Sequence, residues 1–328
     1  MDKITYLNSL EAYFNLMSMN GGIQVFRTAQ QLRVFDALKQ EASSPAMVAN
    51  FCNLKEKSIE LLLNVLYSLE AVEYNNGKYS LAPVMQFLTG NYQDLGNNYW
   101  NFLPELLKTG IPIVKMDNKE QSENQYKNQV LALEWMMKPS AEAAALMLDI
   151  GGKRKELQIL DVGAGSSVWS IVFAQKDTKT VITALDWPAV LEIANVSAQR
   201  AGVQERFKAL SGNYHEVELS DNTYDLVIVG NVTHIESPEG NQKLLKKLFK
   251  SLKSKGEIII FDVFPGQKNG DLSRTLYALG LALRTENGKV YSLEELQNFL
   301  QRADFTEFSF SPIKAPPYTM GMLLAKKI

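Results

Sequence analysis

The sequence predicts an α/β fold for the second half of the chain. A parallel sheet finished by a C-terminal antiparallel hairpin follows a mainly helical region of winged-helix type. Three observations carry this. From residue 157 onward short apolar runs alternate with stretches of helical periodicity. Before residue 150 apolar side chains recur almost only at helical spacing. A glycine turn, Gly163-Ala164-Gly165, stands where the first apolar run meets the first helix.

In the helical half, Ile59, Leu62, Leu63, Leu66 and Leu69 line one face of a helix whose cap is placed near Ser58. Ala29, Leu32, Phe35 and Leu38 define another, and Ser44-Pro45 opens a short helix through Phe51. Residues 72–74 and 78–81 flank the turn Asn75-Asn76-Gly77 and read as a hairpin. Three helices and a small hairpin make a winged-helix arrangement.

In the α/β half, strands are expected at residues 158–162, 181–185, 207–210, 226–229 and 257–263. Helices are expected from the glycine turn to Gln175 and over residues 189–202, the latter ended by Gly202. A further helix starts at Ser237-Pro238, buries Leu244, Leu245, Leu248, Phe249 and Leu252, and stops before Gly256. The run 257–263 is apolar enough for a central parallel strand, and residues 307–311 and 320–326 form the closing hairpin. The expected division is a winged-helix-like domain at 1–95, a helical linker and pocket segment at 96–154, and the α/β domain at 155–328. The linker between the two halves is expected near 151–156.

Composition narrows the function classes. The chain has 328 residues, 46% hydrophobic and 21% charged, with a formal net charge of −2. That balance favours neither nucleic acid nor an anionic membrane. Residues 1–90 carry seven Lys and Arg against eight Asp and Glu, and the helix beginning near Ser58 has no basic recognition face. A ligand-sensing transcription factor is therefore disfavoured. No apolar run approaches a bilayer span, and residues 1–20 lack the pattern of a secretory signal. Cys52 is the only cysteine, in keeping with a reducing cytoplasm, and with only His215 and His234 beside it a zinc site is not expected.

The chemistry concentrates at strand ends. Asp161-Val162-Gly163-Ala164-Gly165 lets backbone N–H groups approach a ligand closely. A dinucleotide fingerprint wants a third glycine where Val168 stands, so the turn favours a nucleoside without phosphates over NAD. Asp186, with Trp187 beside it, ends the next strand, where a carboxylate can accept both hydroxyls of a ribose, although it could also cap the following helix. Gly212-Asn213-Tyr214 follows the third strand and offers a polar group beside an aromatic ring for a base, or forms an ordinary turn. His234 lies just past the fourth strand, placed to act as a general base or to serve as a hydrogen-bonded loop residue. Asp262, at the end of the fifth, could orient it. His215 and the lysines from Lys243 to Lys255 read as loop and solvated helix face. Trp100, Phe102, Met136, Met137 and Tyr277 are candidates for a substrate pocket.

Taken in order, these motifs resemble the two-domain O-methyltransferases of the caffeic-acid and acetylserotonin type, with their bacterial relatives in natural-product and pigment pathways. LDVGAGSS is similar to that family's cofactor turn, LDWP to its ribose segment, and GNY to its GD(F/Y). GNVTHIESPE is similar to its histidine-bearing strand end, and NGKVYSLEELQNFLQRADF to its C-terminal segment. The resemblance spans nearly the whole chain. It implies a Rossmann-like domain that binds S-adenosylmethionine, a homodimer built through the N-terminal half, and metal-free methyl transfer to a small molecule. Gly163, Ala164 and Gly165 would lie under the methionine part, Asp186 would hold the ribose, Asn213 and Tyr214 would meet the adenine, and Asn231 would lie near the cofactor. His234 matches the catalytic base and Asp262 one of two acidic residues beside it. Three departures stand out: Asn213 in place of Asp, Ile235-Glu236 after the histidine, and Val290 where plant members carry the second acid. The expected activity is methylation of a phenol or enol oxygen. The alternatives are carbon or nitrogen methylation on the same fold and, less favoured, an NAD-dependent oxidoreductase.

Overall fold

A computed structural model describes residues 3–39, 41–85, 98–117, 123, 126–127, 129–266 and 271–328. Two compact units divide at residues 97 and 98. In the first, α1 (Lys3–Gln31) and α2 (Val34–Ala37) are separated by Arg33, whose φ of 62° breaks the helix. The apolar series from Ala29 to Leu38 is thus shared between two helices rather than lying on one. α3 (Pro45–Cys52) is capped by the Ser44 hydroxyl, which accepts the Met47 N–H. α4 runs over Glu56–Ser68, so the expected cap at Ser58 is corrected to Lys55. The Lys55 carbonyl already accepts the Ser58 and Ile59 N–H groups, which puts Ser58 inside the first turn. Ile59, Leu63 and Leu66 are buried from this helix. β1 (Val72–Asn75) and β2 (Lys78–Leu81) pair antiparallel around Asn76 and Gly77, both at positive φ, the backbone a two-residue primed turn requires.

The second unit opens with α5 (Leu103–Thr109) and α6 (Val130–Met147). Residues 98–150 cluster with the sheet, because α6 packs against the first sheet helix and buries Ala141, Ala144 and Ala145. The linker expected near 151–156 is therefore corrected: those residues lie inside this unit, and the division falls at residues 97 and 98. The sheet elements are β3 (Gln158–Val162), α7 (Val168–Lys176), β4 (Val181–Asp186), α8 (Pro188–Arg200), β5 (Phe207–Ser211) and β6 (Tyr224–Gly230). They continue through α9 (Pro238–Ser251), β7 (Leu252–Val263), α10 (Leu272–Ala282), α11 (Leu293–Gln301), β8 (Thr306–Pro312) and β9 (Met320–Lys326).

The strand order is β5-β4-β3-β6-β7-β9-β8, parallel except where β9 runs antiparallel to both neighbours. This is a Rossmann-like sheet with the expected closing hairpin. β7 begins at Leu252, five residues earlier than expected. Tyr224 pairs with Leu252 before the register shifts to Leu226 and Glu257, so the irregular start around Gly256 is absorbed within the strand. β3 sits where the chain reverses direction across the sheet, with β4 on one side and β6 on the other. The carboxyl ends of strands at such a point open a crevice for ligands.

Core packing holds that crevice in shape. Trp169 of α7 stacks on Phe261 of β7 with ring centroids 4.0 Å apart and an interplanar angle of 3°. A Cβ at Gly230 would come within 2.7 Å of the indole, so glycine there lets the end of β6 close onto α7. Trp169→Ala should lower the unfolding free energy by about 3–5 kcal/mol, measured as a shift of the urea midpoint. A loss below about 1 kcal/mol would show that the stack contributes little.

Candidate active site

A cavity of about 280 Å³ lies at the carboxyl ends of β3, β4, β5 and β6. Each strand contributes through the turn that follows it. After β3, Gly163 and Gly165 take φ of 61° and 57°. A Cβ at Gly163 would approach Val232 to 2.5 Å, so a side chain is excluded there by both conformation and space. The Gly163 and Ala164 N–H groups both donate to the Leu185 carbonyl, tying this turn to the end of β4.

Asp186 closes β4 and lines the cavity. Its two oxygens accept the Gly165 N–H at 2.8 Å and the Trp187 N–H at 2.7 Å. Burial pushes its carboxyl up to about 6, against the pull of those two N–H groups. Trp187 also lines the cavity and precedes Pro188 at the start of α8.

After β5, Asn213 is buried and its side-chain oxygen accepts the His215 N–H at 2.9 Å. Tyr214 and His215 converge on Glu236, which follows the turn after β6. The Tyr214 hydroxyl donates to Oε1 at 2.6 Å, and His215 Nε2 lies 2.9 Å from Oε2. Burial, then the Glu236 charge, holds the Tyr214 phenol well above its usual range. Asn231, at φ 61°, lines the cavity while its own N–H donates to Phe261.

His234 and Asp262 form a second cluster beside this cavity and are not among its lining residues. Both are buried, at 8% and 2% exposure. Asp262 Oδ1 lies 2.6 Å from His234 Nδ1 and accepts the Val263 N–H at 2.7 Å. Its Oδ2 accepts the Thr233 hydroxyl and, at 3.2 Å, the His234 N–H. Four donors converge on one carboxylate. That arrangement suits its ionised form and puts the imidazole proton on Nδ1, leaving Nε2 as the basic nitrogen.

The structure thus gathers Gly163, Ala164, Gly165, Asp186 and Trp187 in one cavity with Asn213, Tyr214 and Asn231. Asp161 and Gly212 support it from outside. The Ser170 hydroxyl donates to buried Asp161 at 2.5 Å, and Gly212, at φ 138°, carries the turn that presents Asn213. Of the substrate-pocket candidates, Met137 lines the cavity and Met136 packs against the core. Trp100 lies beside Gly280, Phe102 is 41% exposed, and Tyr277 contacts His234. Four further wall residues, Tyr126, Glu134, His215 and Glu236, were not singled out from the sequence as site residues. Glu236 alone carried a signal, two residues past a strand-end histidine.

The lining fits an adenosyl sulfonium cofactor. Among the described residues it contains no Lys or Arg, which a pyrophosphate would call for, but it does contain Asp117, Glu134, Asp186 and Glu236. No group of three or more His, Cys, Asp or Glu able to hold a metal occurs among the described residues. No helix among them is long and apolar enough to cross a membrane.

Comparison with known proteins agrees. Residues 159–256 match the family model described as a methyltransferase domain. The chain is 29% identical over 184 residues to the L-tyrosine C(3)-methyltransferase of Streptomyces lavendulae, a match covering 55% of this chain and 49% of that protein. The chain thus matches about half the length of that relative. It is 22% identical to the demethylspheroidene O-methyltransferase of Rhodobacter capsulatus, over 97% of this chain and 82% of that one. Human N-acetylserotonin methyltransferase in complex with SAM superposes with a TM-score of 0.73 at 21% identity, covering 100% of this chain and 98% of that one.

Asp161 sets a pH dependence on the fold around this turn. Burial raises its carboxyl to about 7 from 3.8, so between these values the native state holds a proton that the unfolded chain has released. Stability from this group is therefore greatest in acid and declines as pH rises toward 7. Asp161→Asn cannot titrate, so wild type should lose stability relative to it from pH 5 to 7.5 in urea titrations. A constant difference across that range would contradict the assignment.

Proposed function

We propose that this chain, a member of the S-adenosylmethionine-dependent methyltransferases, methylates a hydroxyl of a small aromatic or enolic metabolite with His234 as general base. The observation that carries the reading is the loading of Asp262. Its Oδ1 accepts a hydrogen bond from the Nδ1–H and so leaves His234 Nε2 as the basic nitrogen at the carboxyl edge of the sheet.

S-adenosylmethionine, when bound, supplies an electrophilic methyl group on a sulfonium. Gly163 and Gly165 would let the backbone lie against its methionine part, Asp186 would accept the ribose hydroxyls, and Asn213 and Tyr214 would meet the adenine, with Asn231 beside it. His234 Nε2 takes the proton of the acceptor hydroxyl, and the imidazolium so formed is stabilised by Asp262. Much of the remaining rate advantage comes from holding acceptor and cofactor in line. The chain works as a homodimer through the N-terminal unit. That reading is supported by the large apolar side chains α1 leaves exposed, including Tyr13, Phe14, Leu16 and Met17. The site is cytoplasmic, in keeping with a single unpaired cysteine.

Carbon methylation is the second reading, favoured by the relative named as a tyrosine C-methyltransferase. Mass-spectrometric localisation of the transferred methyl separates oxygen from carbon. On the first reading His234→Ala lowers kcat by on the order of 10²-fold or more while adenosylhomocysteine still binds in calorimetry. Full activity in that variant would falsify the base.

Asp186 makes cofactor affinity depend on pH. Its carboxyl sits at about 6, so the ionised acceptor prevails above that value and is lost below it. Adenosylhomocysteine should bind more tightly as pH rises from 5 to 7.5. Asp186→Asn should weaken binding at pH 7.5 by roughly 1.5–3 kcal/mol and flatten this limb. An unchanged affinity in the variant removes Asp186 from the ribose role.

A further inference from the structure

A buried imidazole fixed through one nitrogen alone can still pivot about that hydrogen bond. The resemblance implies a second acidic residue beside the base, and this chain has Val290 at that place. Val290 is partly buried and packs against the apolar core on that side of the sheet, as does Tyr277. Nothing at 290 can receive or offer a hydrogen bond from its side chain.

Tyr277 stands elsewhere, on α10, and its hydroxyl reaches the imidazole. The oxygen is 3.0 Å from His234 Nε2 and 3.5 Å from Nδ1, with ring centroids 5.6 Å apart at 83°. These values locate it over the ring. An oxygen on the in-plane lone pair of Nε2 would lie on the far side of that nitrogen, well away from Nδ1. The contact therefore bears on the face of the imidazole and leaves the lone-pair direction of Nε2 unclaimed by this phenol.

The helix carrying Tyr277 is itself anchored. Arg274 donates to the Thr319 carbonyl at 3.3 Å and the Tyr318 carbonyl at 2.9 Å. Just beyond the helix, Leu283 and Arg284 carbonyls accept the Ile113 and Met116 N–H groups. Asp117 accepts the N–H groups of Glu286 and Asn287 at 2.9 and 2.7 Å. Both ends are tied down, so the phenol is presented from a fixed support.

We propose that Tyr277 is a positioning residue for His234. Asp262 restrains the ring at its edge and Tyr277 restrains it across its face, in the place of a second carboxylate. Together they keep Nε2 directed at the acceptor. This rests on the reading of His234 as base, and the experiment separates the two.

The chain has only two histidines, so its imidazole nitrogens can be followed individually by ¹⁵N NMR. His215→Gln identifies the signals of His234. In the cofactor-free wild type, His234 should show one tautomer, protonated at Nδ1, with narrow lines. Tyr277→Phe should broaden these lines or average the two nitrogens. It should also lower kcat roughly 10- to 100-fold, with adenosylhomocysteine affinity unchanged in calorimetry. Unchanged His234 signals overturn the proposal, whatever happens to kcat, because Tyr277 would then act on something other than the imidazole. Altered His234 signals with undiminished kcat overturn it too, since the restraint would not matter to turnover. If His234→Ala keeps full activity while Tyr277→Phe still changes the His234 signals, the base reading fails and the ring contact stands.

Discussion

The carboxylate of Asp262 binds together the two strand ends on which the site depends. Removing a charge from water costs several kcal/mol, and the cost is offset only where hydrogen bonds replace the lost hydration. Here one donor comes from its own strand end at Val263, and three come from the turn after β6, at Thr233 and His234. The neighbouring Asn231 N–H reaches β7 through the Phe261 carbonyl. The turn after β6 has little freedom once these bonds form. It is this turn that also carries Val232 against Gly163 and leads to Glu236 in the cavity wall. The glycine turn after β3 and the histidine are thus set by one buried carboxylate.

The cavity on the other side of that turn is selective by what its wall omits as well as by what it holds. Several carboxyl groups and no Lys or Arg line it among the described residues. A pyrophosphate placed there would meet no Lys or Arg among the described residues, whereas a sulfonium meets a field of the right sign. Asp186 and Tyr214 hold their protons more firmly than in water. Burial is the first cause in both, and a neighbouring negative charge adds to it. On the proposed reading, a bound sulfonium would favour the ionised form of Asp186 and so couple binding to its ionisation.

What the sequence revealed and what it hid follow from distance along the chain. Strand ends were legible because Gly163, Asp186 and Asn213 each sit at or just past the end of an apolar run, and the sheet topology then forces those ends together. Helix boundaries at Ser237 and Ser44 were legible because a capping hydroxyl and a proline act locally. Arg33 was not, since a left-handed break in a helix carries no side-chain signature here. The pairing of His215 with Glu236, 21 residues apart, was equally hidden: it exists only after β5 and β6 are placed with β3 and β4 between them. Tyr277 could be guessed as an aromatic near the site, but its approach to the imidazole face depends on tertiary anchors at Tyr318, Thr319 and Asp117.

On the proposed mechanism, the choice of acceptor atom turns on how the base is supported. A histidine that donates its Nδ1–H to one carboxylate can take the acceptor proton at Nε2, and that carboxylate compensates the imidazolium so formed. It therefore suits an acceptor whose proton leaves readily, as from a phenol or enol, and whose oxygen then carries little charge to stabilise. A second carboxylate would raise the basicity of the ring and extend its reach to less acidic hydroxyls. Val290 adds no charge beside the ring, and on the proposed reading the face-on phenol of Tyr277 restrains it without adding one. The same limited base could also generate the phenolate that activates an aromatic carbon. Oxygen and carbon methylation thus share the first proton transfer and diverge only in which atom of the acceptor is held in line with the methyl group.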